Sequence, residues 1–207
     1  MTASCPVIVM AKAPVAGFAK TRLIPALGTA GAAQLAERLL CHAVGEATAA
    51  QIGPVDLCCT PDATHPTFER LAKQHAVTLS VQGDGDLGAR MNRALQRALA
   101  VHTRALLIGA DIPGLASAVL RSARDALDAH DAVFVPALDG GYALVGLRAA
   151  APGLFDDMVW STPQVMDQTR ERLARLGMRH AELPPLADID QPTDLDQLPP
   201  SWLASRR

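Results

Sequence analysis

Residues 105–115 read ALLIGADIPGL, and the first six of them decide the fold class. Ala105 to Ala110 is a continuous apolar run with no alternation. It is too short for a buried helix and is closed by Asp111, Pro113 and Gly114. Such runs mark strands covered on both faces, which belong to parallel sheets flanked by helices.

Working outward, the same signal recurs. Val7 to Met10, Val55 to Thr60, Val77 to Val81, Ala132 to Pro136 and Tyr142 to Leu147 read as strands, and a last extended stretch reaches Ile189. Between them lie helical patterns. Leu35, Leu39, Ala43 and Ala47 recur at spacing four within a helix over Ala30 to Ala50. A helix around Phe68 to His75 follows. Leu87, Met91, Leu95 and Leu99 mark another helical face, as do Leu115, Val119, Ala123 and Leu127. Pro163 to Leu176 reads as helical, and Pro192 opens a short helix within a tail that runs to Arg207. Alternating strands and helices predict an α/β fold: a Rossmann-like three-layer α/β/α sandwich around a mostly parallel mixed sheet. The expected organisation is a single domain over residues 1–207.

Composition agrees and excludes several classes. At 207 residues, 49% hydrophobic and 19% charged, the chain has enough apolar surface to fold without disulfides or a structural metal. Nineteen basic against 21 acidic residues, with only 3% aromatics, argue against nucleic acid as a partner. No apolar run reaches the length of a membrane span, and the N-terminus MTASCPVIVMAKAP lacks a signal peptide's pattern. The expected localisation is cytoplasmic. Cys5, Cys41, Cys58 and Cys59 form no CxxC pair, and the six histidines show no metal-ligand spacing, so both sets read as fillers.

Ligands of parallel α/β sheets bind at the carboxyl ends of strands. Five loops stand there: 11–22, 82–90, 109–114, 136–142 and 186–194. The first, AKAPVAGFAKTRL (11–23), places Lys12, Lys20 and Arg22 around Gly17. Backbone N–H groups and three cations at a strand end suit phosphate oxygens. The spacing is neither GxxxxGK[ST] nor GxGxxG, and an ordinary solvated basic loop is the competing reading.

Asp111 leaves a buried strand, where a carboxylate suits a divalent cation, or equally caps the helix that follows. LADIDQPTDL (186–195) clusters Asp188, Asp190 and Asp194. Helix capping explains them, or Asp190 supplies a second carboxylate to a metal on Asp111. VPALDGGY (135–142) offers Asp139, Gly140, Gly141 and Tyr142, which form a hairpin turn or admit a close ligand. QGDGDLGARM (82–91) carries Gly83, Gly85 and Gly88 ahead of a helix, whose N-terminus binds an anion or is simply capped.

Taken in order, AKAPVAGFAKTRL, QGDGDLGARM, GADIPGL, VPALDGGYALVGL, WST and ADIDQPTDL resemble the small bacterial GT-A-type transferases labelled arsenosugar-biosynthesis glycosyltransferase-like. The resemblance spans residues 6–198. It implies the nucleotide-diphospho-sugar transferase fold. The KTRL loop and the late acidic motif are also similar to 2-phospholactate guanylyltransferase. By resemblance, Asp111 and Asp190 hold Mg²⁺ or Mn²⁺. Lys12, Gly17, Lys20, Arg22, Gly83 and Gly88 bind nucleotide or phosphate, with Asp111, Lys20 and Arg22 catalytic. Asp139, Gly140, Gly141 and Tyr142 face the acceptor or sugar.

The partners implied are a nucleotide or nucleotide-sugar and a small-molecule acceptor. One departure from a standard glycosyltransferase is plain: residues 109–111 read Gly-Ala-Asp, with no DxD triplet. The leading expectation is a glycosyltransferase using an NDP-sugar. The alternative is a nucleotidyltransferase joining an NTP to a phosphorylated small molecule with release of pyrophosphate. A non-catalytic nucleotide-binding module is the third reading.

Overall fold

Seven strands form one sheet in the order β3-β2-β1-β4-β6-β5-β7 in a computed structural model that describes residues 4–203. The strands are β1 (Val7–Lys12), β2 (Val55–Thr60), β3 (Thr78–Val81), β4 (Ala105–Gly109), β5 (Ala132–Pro136), β6 (Tyr142–Leu147) and β7 (His180–Glu182). All pairings are parallel except those of β6, which runs antiparallel to β4 and β5. The antiparallel strand follows from the Asp139-Gly140-Gly141 turn. A tight hairpin can only reverse the chain, whereas a parallel neighbour needs a helical crossover.

The helices are α1 (Ile24–Ala49), α2 (Pro66–His75), α3 (Leu87–Leu99), α4 (Ser117–Ala126), α5 (Val165–Arg175) and the single turn α6 (Pro200–Leu203). Side-chain alternation along each strand builds two cores. Val7, Val9 and Ala11 join Leu40, Val44, Phe68 and Leu120 on the face covered by α1, α2 and α4. Ile8 joins Met91, Leu95, Phe134, Val145 and Leu173 on the face covered by α3 and α5. The expected three-layer sandwich is therefore observed. Cys5 and Cys59 are sealed in the first core, where burial pushes both thiols up to about 12, and Cys58 in the second.

Among the boundaries that differ from the sequence reading, two bear on the site. α1 begins at Ile24 rather than Ala30, because a first turn precedes a break at Gly28, which takes φ +70. The helix after β4 starts at Ser117, not beside Asp111. Its Ser117 N–H is met by Glu46 Oε2 of α1 at 2.6 Å. The tail beyond Pro192 forms a 3-10 turn (Pro192–Gln197) and α6, and its last residues, 204–207, lie outside the described residues.

A third apolar cluster positions the site. Leu23, Leu35 and Leu39 from the start of α1 pack against Ile189, Leu195 and Leu198 from the chain's end. Ile189 is fully buried, which contributes about 1.5–3 kcal/mol. Its N–H donates to the Asp111 carbonyl at 3.1 Å. The C-terminal acidic segment is thereby fastened to the end of β4.

Candidate active site

β1 sits between β2 and β4, and the chain passes from one side of β1 to the other between them. That reversal opens a crevice at the carboxyl ends of β1 and β4, where ligands of this architecture bind. Lys12 ends β1, and Asp111 follows β4 by two residues. A cleft of about 670 Å³ occupies this position. Its size is that of a nucleotide-scale ligand site.

The loop after β1 folds into the cleft through Lys20, which takes the left-handed conformation (φ +46) just ahead of a 3-10 turn over Thr21–Leu23. A non-glycine residue in that region is strained, and such strain clusters at functional sites. The turn directs Lys20 inward: its Nζ donates to Asp111 Oδ2 at 2.9 Å and lies 3.8 Å from Asp190 Oδ1. Lys20 is the buried partner, with 11% of its side chain exposed. Arg22 contacts the other Asp190 oxygen, Oδ2. Two carboxylates 79 positions apart in sequence thus converge on one cation-sized position.

The capping alternatives are resolved by the same geometry. Asp111 caps no helix, since α4 begins six residues later behind Ala116. In the last acidic motif, Asp194 does the capping: its Oδ2 accepts from the N–H groups of Asp190 and Gln191 at 2.9 and 2.6 Å. Asp190 is left to face Lys20 and Arg22. Asp188 also lines the cleft. Burial, then the charges of Asp139 and Asp111, hold its carboxyl above the usual range, against the opposing pull of Lys20.

Lys12, Lys20, Arg22, Asp111, Asp139, Gly141, Tyr142 and Asp190 all line the cleft, and Gly17, Gly83, Gly88 and Gly140 do not. Gly88 is buried under α5's approach segment instead: a Cβ there would stand 2.8 Å from the Trp160 indole and from the Phe155 carbonyl. At the other end of that loop Arg93 folds back onto the carbonyls of Gln82 and Asp84. The Asp86 carboxylate caps α3 by accepting from Ala89 N at 2.8 Å. The turn reading therefore accounts for Gly83 and Gly88. Gly140 has φ +93 and packs directly on Pro163, and its carbonyl accepts from Met166 N at 2.8 Å.

Several lining residues were not among the sequence candidates. Gln82, 5% exposed, spans the ends of two strands, donating from Nε2 to the carbonyls of Ala11 at 3.2 Å and Cys58 at 3.0 Å. Its signal was a polar residue directly following a strand. Phe18 and Leu87 are exposed apolar side chains at the mouth. Trp160, Ser161 and Thr162 arrive from the segment before α5, and Ser161 also takes a positive φ of 62. WST entered the sequence reading only as part of the family resemblance, with no role assigned, and the fold places it here.

Residues 43–162 match the bacterial family described as "Uncharacterized protein conserved in bacteria (DUF2064)". The chain belongs to this family. The matched DUF2064 region contains Asp111, Asp139 and Trp160, while the basic loop after β1 and Asp190 lie outside it. A crystal structure from Desulfovibrio desulfuricans G20, described as that of a "putative nucleotide-diphospho-sugar transferase", is 30% identical, covering 90% of this chain and 82% of its own, with a TM-score of 0.83. A nucleotidyl transferase from Methanothermobacter is 16% identical over 97% of this chain and 98% of its own, at TM-score 0.62. A Mycobacterium tuberculosis H37Rv protein in complex with manganese is 20% identical over 95% and 98%, at 0.58. These last two likenesses establish the shared fold. No curated protein matches the sequence. Among the described residues no helix is long and apolar enough to cross a membrane.

Proposed function

We propose that this DUF2064 member is a metal-dependent nucleotidyltransferase that joins an NTP to a small-molecule oxygen nucleophile and releases pyrophosphate. The observation that carries this reading is the convergence of Lys12, Lys20 and Arg22 on the cleft that also holds Asp111 and Asp190. Three cations at the end of β1 and on the segment that follows match the charge of a triphosphate better than that of a diphosphate-sugar. The solitary Asp111, without a DxD triplet, points the same way. Sequence alone ranks glycosyl transfer first; the cleft and the nucleotidyl- and cytidylyltransferases among the structural likenesses favour nucleotidyl transfer.

Asp111 and Asp190 fit a hard divalent cation, Mg²⁺ or Mn²⁺. Both already converge on the Lys20 ammonium. No cluster of three or more His, Cys, Asp or Glu able to hold a metal occurs among the described residues. Two carboxylates suffice where substrate phosphates and water complete the shell. When bound, the cation would neutralise charge on the phosphates.

The chain's own residues do the rest. Lys12, Lys20 and Arg22 hold the β and γ phosphates and take up the negative charge that grows on them as the α-phosphorus is attacked. A lone pair of the acceptor oxygen forms the new bond to the α-phosphorus. The bond from that phosphorus to the α–β bridging oxygen breaks, its electron pair leaves with pyrophosphate, and the acceptor proton passes to water. No covalent enzyme intermediate is needed. The setting we propose is the cytoplasm, where NTPs are abundant.

A thermal-shift panel of NTPs and NDP-sugars, each with Mg²⁺, with Mn²⁺ and with chelator, tests the reading. One NTP at 100 times its Kd should raise Tm by about 5–10 °C in a metal-dependent way and should support pyrophosphate release with an acceptor. A shift with an NDP-sugar that the matching NTP does not reproduce would return the protein to glycosyl transfer.

A further inference from the structure

Charge is unevenly distributed in the cleft. Among the described residues the cations that line it are Lys12 at the end of β1 and Lys20 and Arg22 on the segment that follows. The Asp139 turn and the segment before α5 contribute Asp139, Tyr142, Trp160, Ser161 and Thr162 to the lining, Asp188 lies within reach of the charges of Asp139, Asp111 and Lys20, and among the described residues these six positions contribute no Lys, Arg or His. Arg172 of α5, whose charge reaches Tyr142, donates instead to the carbonyls of Asp156 and Asp157 and does not line the cleft. Among the described residues no Lys or Arg makes a direct ion pair with Asp139 or Asp188, although Lys20 acts on Asp188 at longer range; one Asp139 oxygen accepts from Gly141 N, at 2.9 Å. Gly140 packs on Pro163, so the Asp139 turn and the 160–162 segment form one wall.

The three cations are needed for the triphosphate. A second phosphate-bearing molecule would therefore face the carboxylates of Asp139 and Asp188 with no further lining cation to receive it among the described residues, and like charges at contact distance repel strongly. A neutral or cationic acceptor meets none of this. Its hydroxyl or ammonium groups can donate to Asp139, Asp188, Ser161 and Thr162, and its carbon skeleton can lie on the Tyr142 and Trp160 rings, which meet edge to face at 6.3 Å between centroids.

Resting on the nucleotidyltransferase reading, we infer that the acceptor is a non-phosphorylated hydroxyl compound, neutral or bearing a cationic amino group, selected by the carboxylates of Asp139 and Asp188. This narrows the acceptor class and reverses the expectation of a phosphorylated partner.

The test uses matched pairs: glycerol and glycerol 3-phosphate, ethanolamine and phosphoethanolamine, glucose and glucose 1-phosphate. Each is titrated into full-length protein saturated with the NTP and Mg²⁺ that give the thermal shift. The readout is the Trp160 indole N–H resonance, assigned by comparison with Trp202→Phe. That N–H is buried without a partner, so it reports local rearrangement sensitively.

The unphosphorylated member of at least one pair should move the resonance and bind about tenfold or more tighter than its phosphorylated partner. Asp139→Asn with Asp188→Asn should narrow that preference to within about threefold while the nucleotide shift remains. Asparagine preserves the bond to Gly141 N, so the turn is kept. Tighter binding of the phosphorylated members overturns the inference, and so does a resonance that no unphosphorylated member moves. Absence of any nucleotide shift counts against the nucleotidyltransferase reading instead; the same pairs titrated into nucleotide-free protein then still decide the charge preference.

Discussion

Lys20 Nζ and Asp111 Oδ2 stand 2.9 Å apart although 91 positions separate them in the chain. The same ammonium lies 3.8 Å from Asp190, so the cation proposed for phosphate and the carboxylates proposed for metal neutralise one another. Lys20→Met should therefore strengthen binding of Mn²⁺ alone by about threefold or more, since an opposing charge at this distance weakens cation binding. It should weaken nucleotide binding at the same time. Mn²⁺ titration followed by paramagnetic resonance, with and without nucleotide, separates the two effects. Unchanged Mn²⁺ affinity in the variant would remove the competition.

Asp111→Asn and Arg22→Ala should divide the site's labour. Asp111→Asn should reduce turnover by at least about 100-fold, the scale of losing one preorganised electrostatic group. Its Tm should hold or rise slightly, because the side chain is 41% exposed and is not a helix cap. Arg22→Ala removes a charged hydrogen-bond donor, so the nucleotide Kd should rise about tenfold or more. Calorimetry of nucleotide binding beside single-turnover kinetics would check both. Wild-type turnover in Asp111→Asn would end its proposed role.

Acid stability should depend on a pair remote from the cleft. Arg170 grips Glu182 of β7 with two hydrogen bonds, Nε to Oε1 at 2.8 Å and Nη2 to Oε2 at 2.7 Å. These bonds hold the Glu182 carboxyl below its usual range. A carboxylate depressed in the folded state stabilises it fully above the unfolded value of about 4.3 and loses that contribution as pH falls through the lower folded value. Both partners are partly exposed, so the contribution is about 1 kcal/mol at most. Glu182→Gln should flatten the decline in Tm below about pH 4.3 and leave the neutral-pH slope unaltered. Identical acid limbs in Tm-against-pH profiles would refute the linkage.

Gly140 sets the far wall of the cleft. Its positive φ and its seat against the Pro163 carbonyl leave no room for a Cβ. Gly140→Ala should cost about 2 kcal/mol or more, combining the left-handed penalty with steric overlap. Because the turn carries Asp139 and the displaced proline follows Trp160–Thr162, Trp160 fluorescence should change as well. A Tm within 2 °C of wild type, at roughly 2–4 °C per kcal/mol, would show that the wall yields easily.

The amino-acid sequence by itself determined the layers of this protein. Continuous apolar runs such as Ala105–Gly109 could satisfy their backbone and bury both faces only in a helix-flanked sheet, and the spacing of Leu35, Leu39, Ala43 and Ala47 could face the core only as a helix. Pattern is local, so these elements were legible. It also named Lys12, Lys20, Arg22, Asp111 and Asp190 as candidates, because charge at the end of a buried strand stands out.

Which of two roles each carboxylate takes was decided only by tertiary structure. Asp190 and Asp194 sit four positions apart in the same motif and look equivalent, yet burial of Ile189 against Leu35 and Leu39 aims Asp190 at Lys20 and leaves Asp194 to cap the turn. Gly83 and Gly88 read as ligand-cradling residues until the packing of Arg93 and Trp160 against them is seen. Gln82 and Trp160 open two of the motifs that carry the resemblance, QGDGDLGARM and WST, but no role was assigned to either; the sheet and the approach to α5 bring them to the cleft. Spacing along a chain fixes how a segment folds, but a site is assembled from side chains of distant segments, and only the packing of one core against another sets their distances.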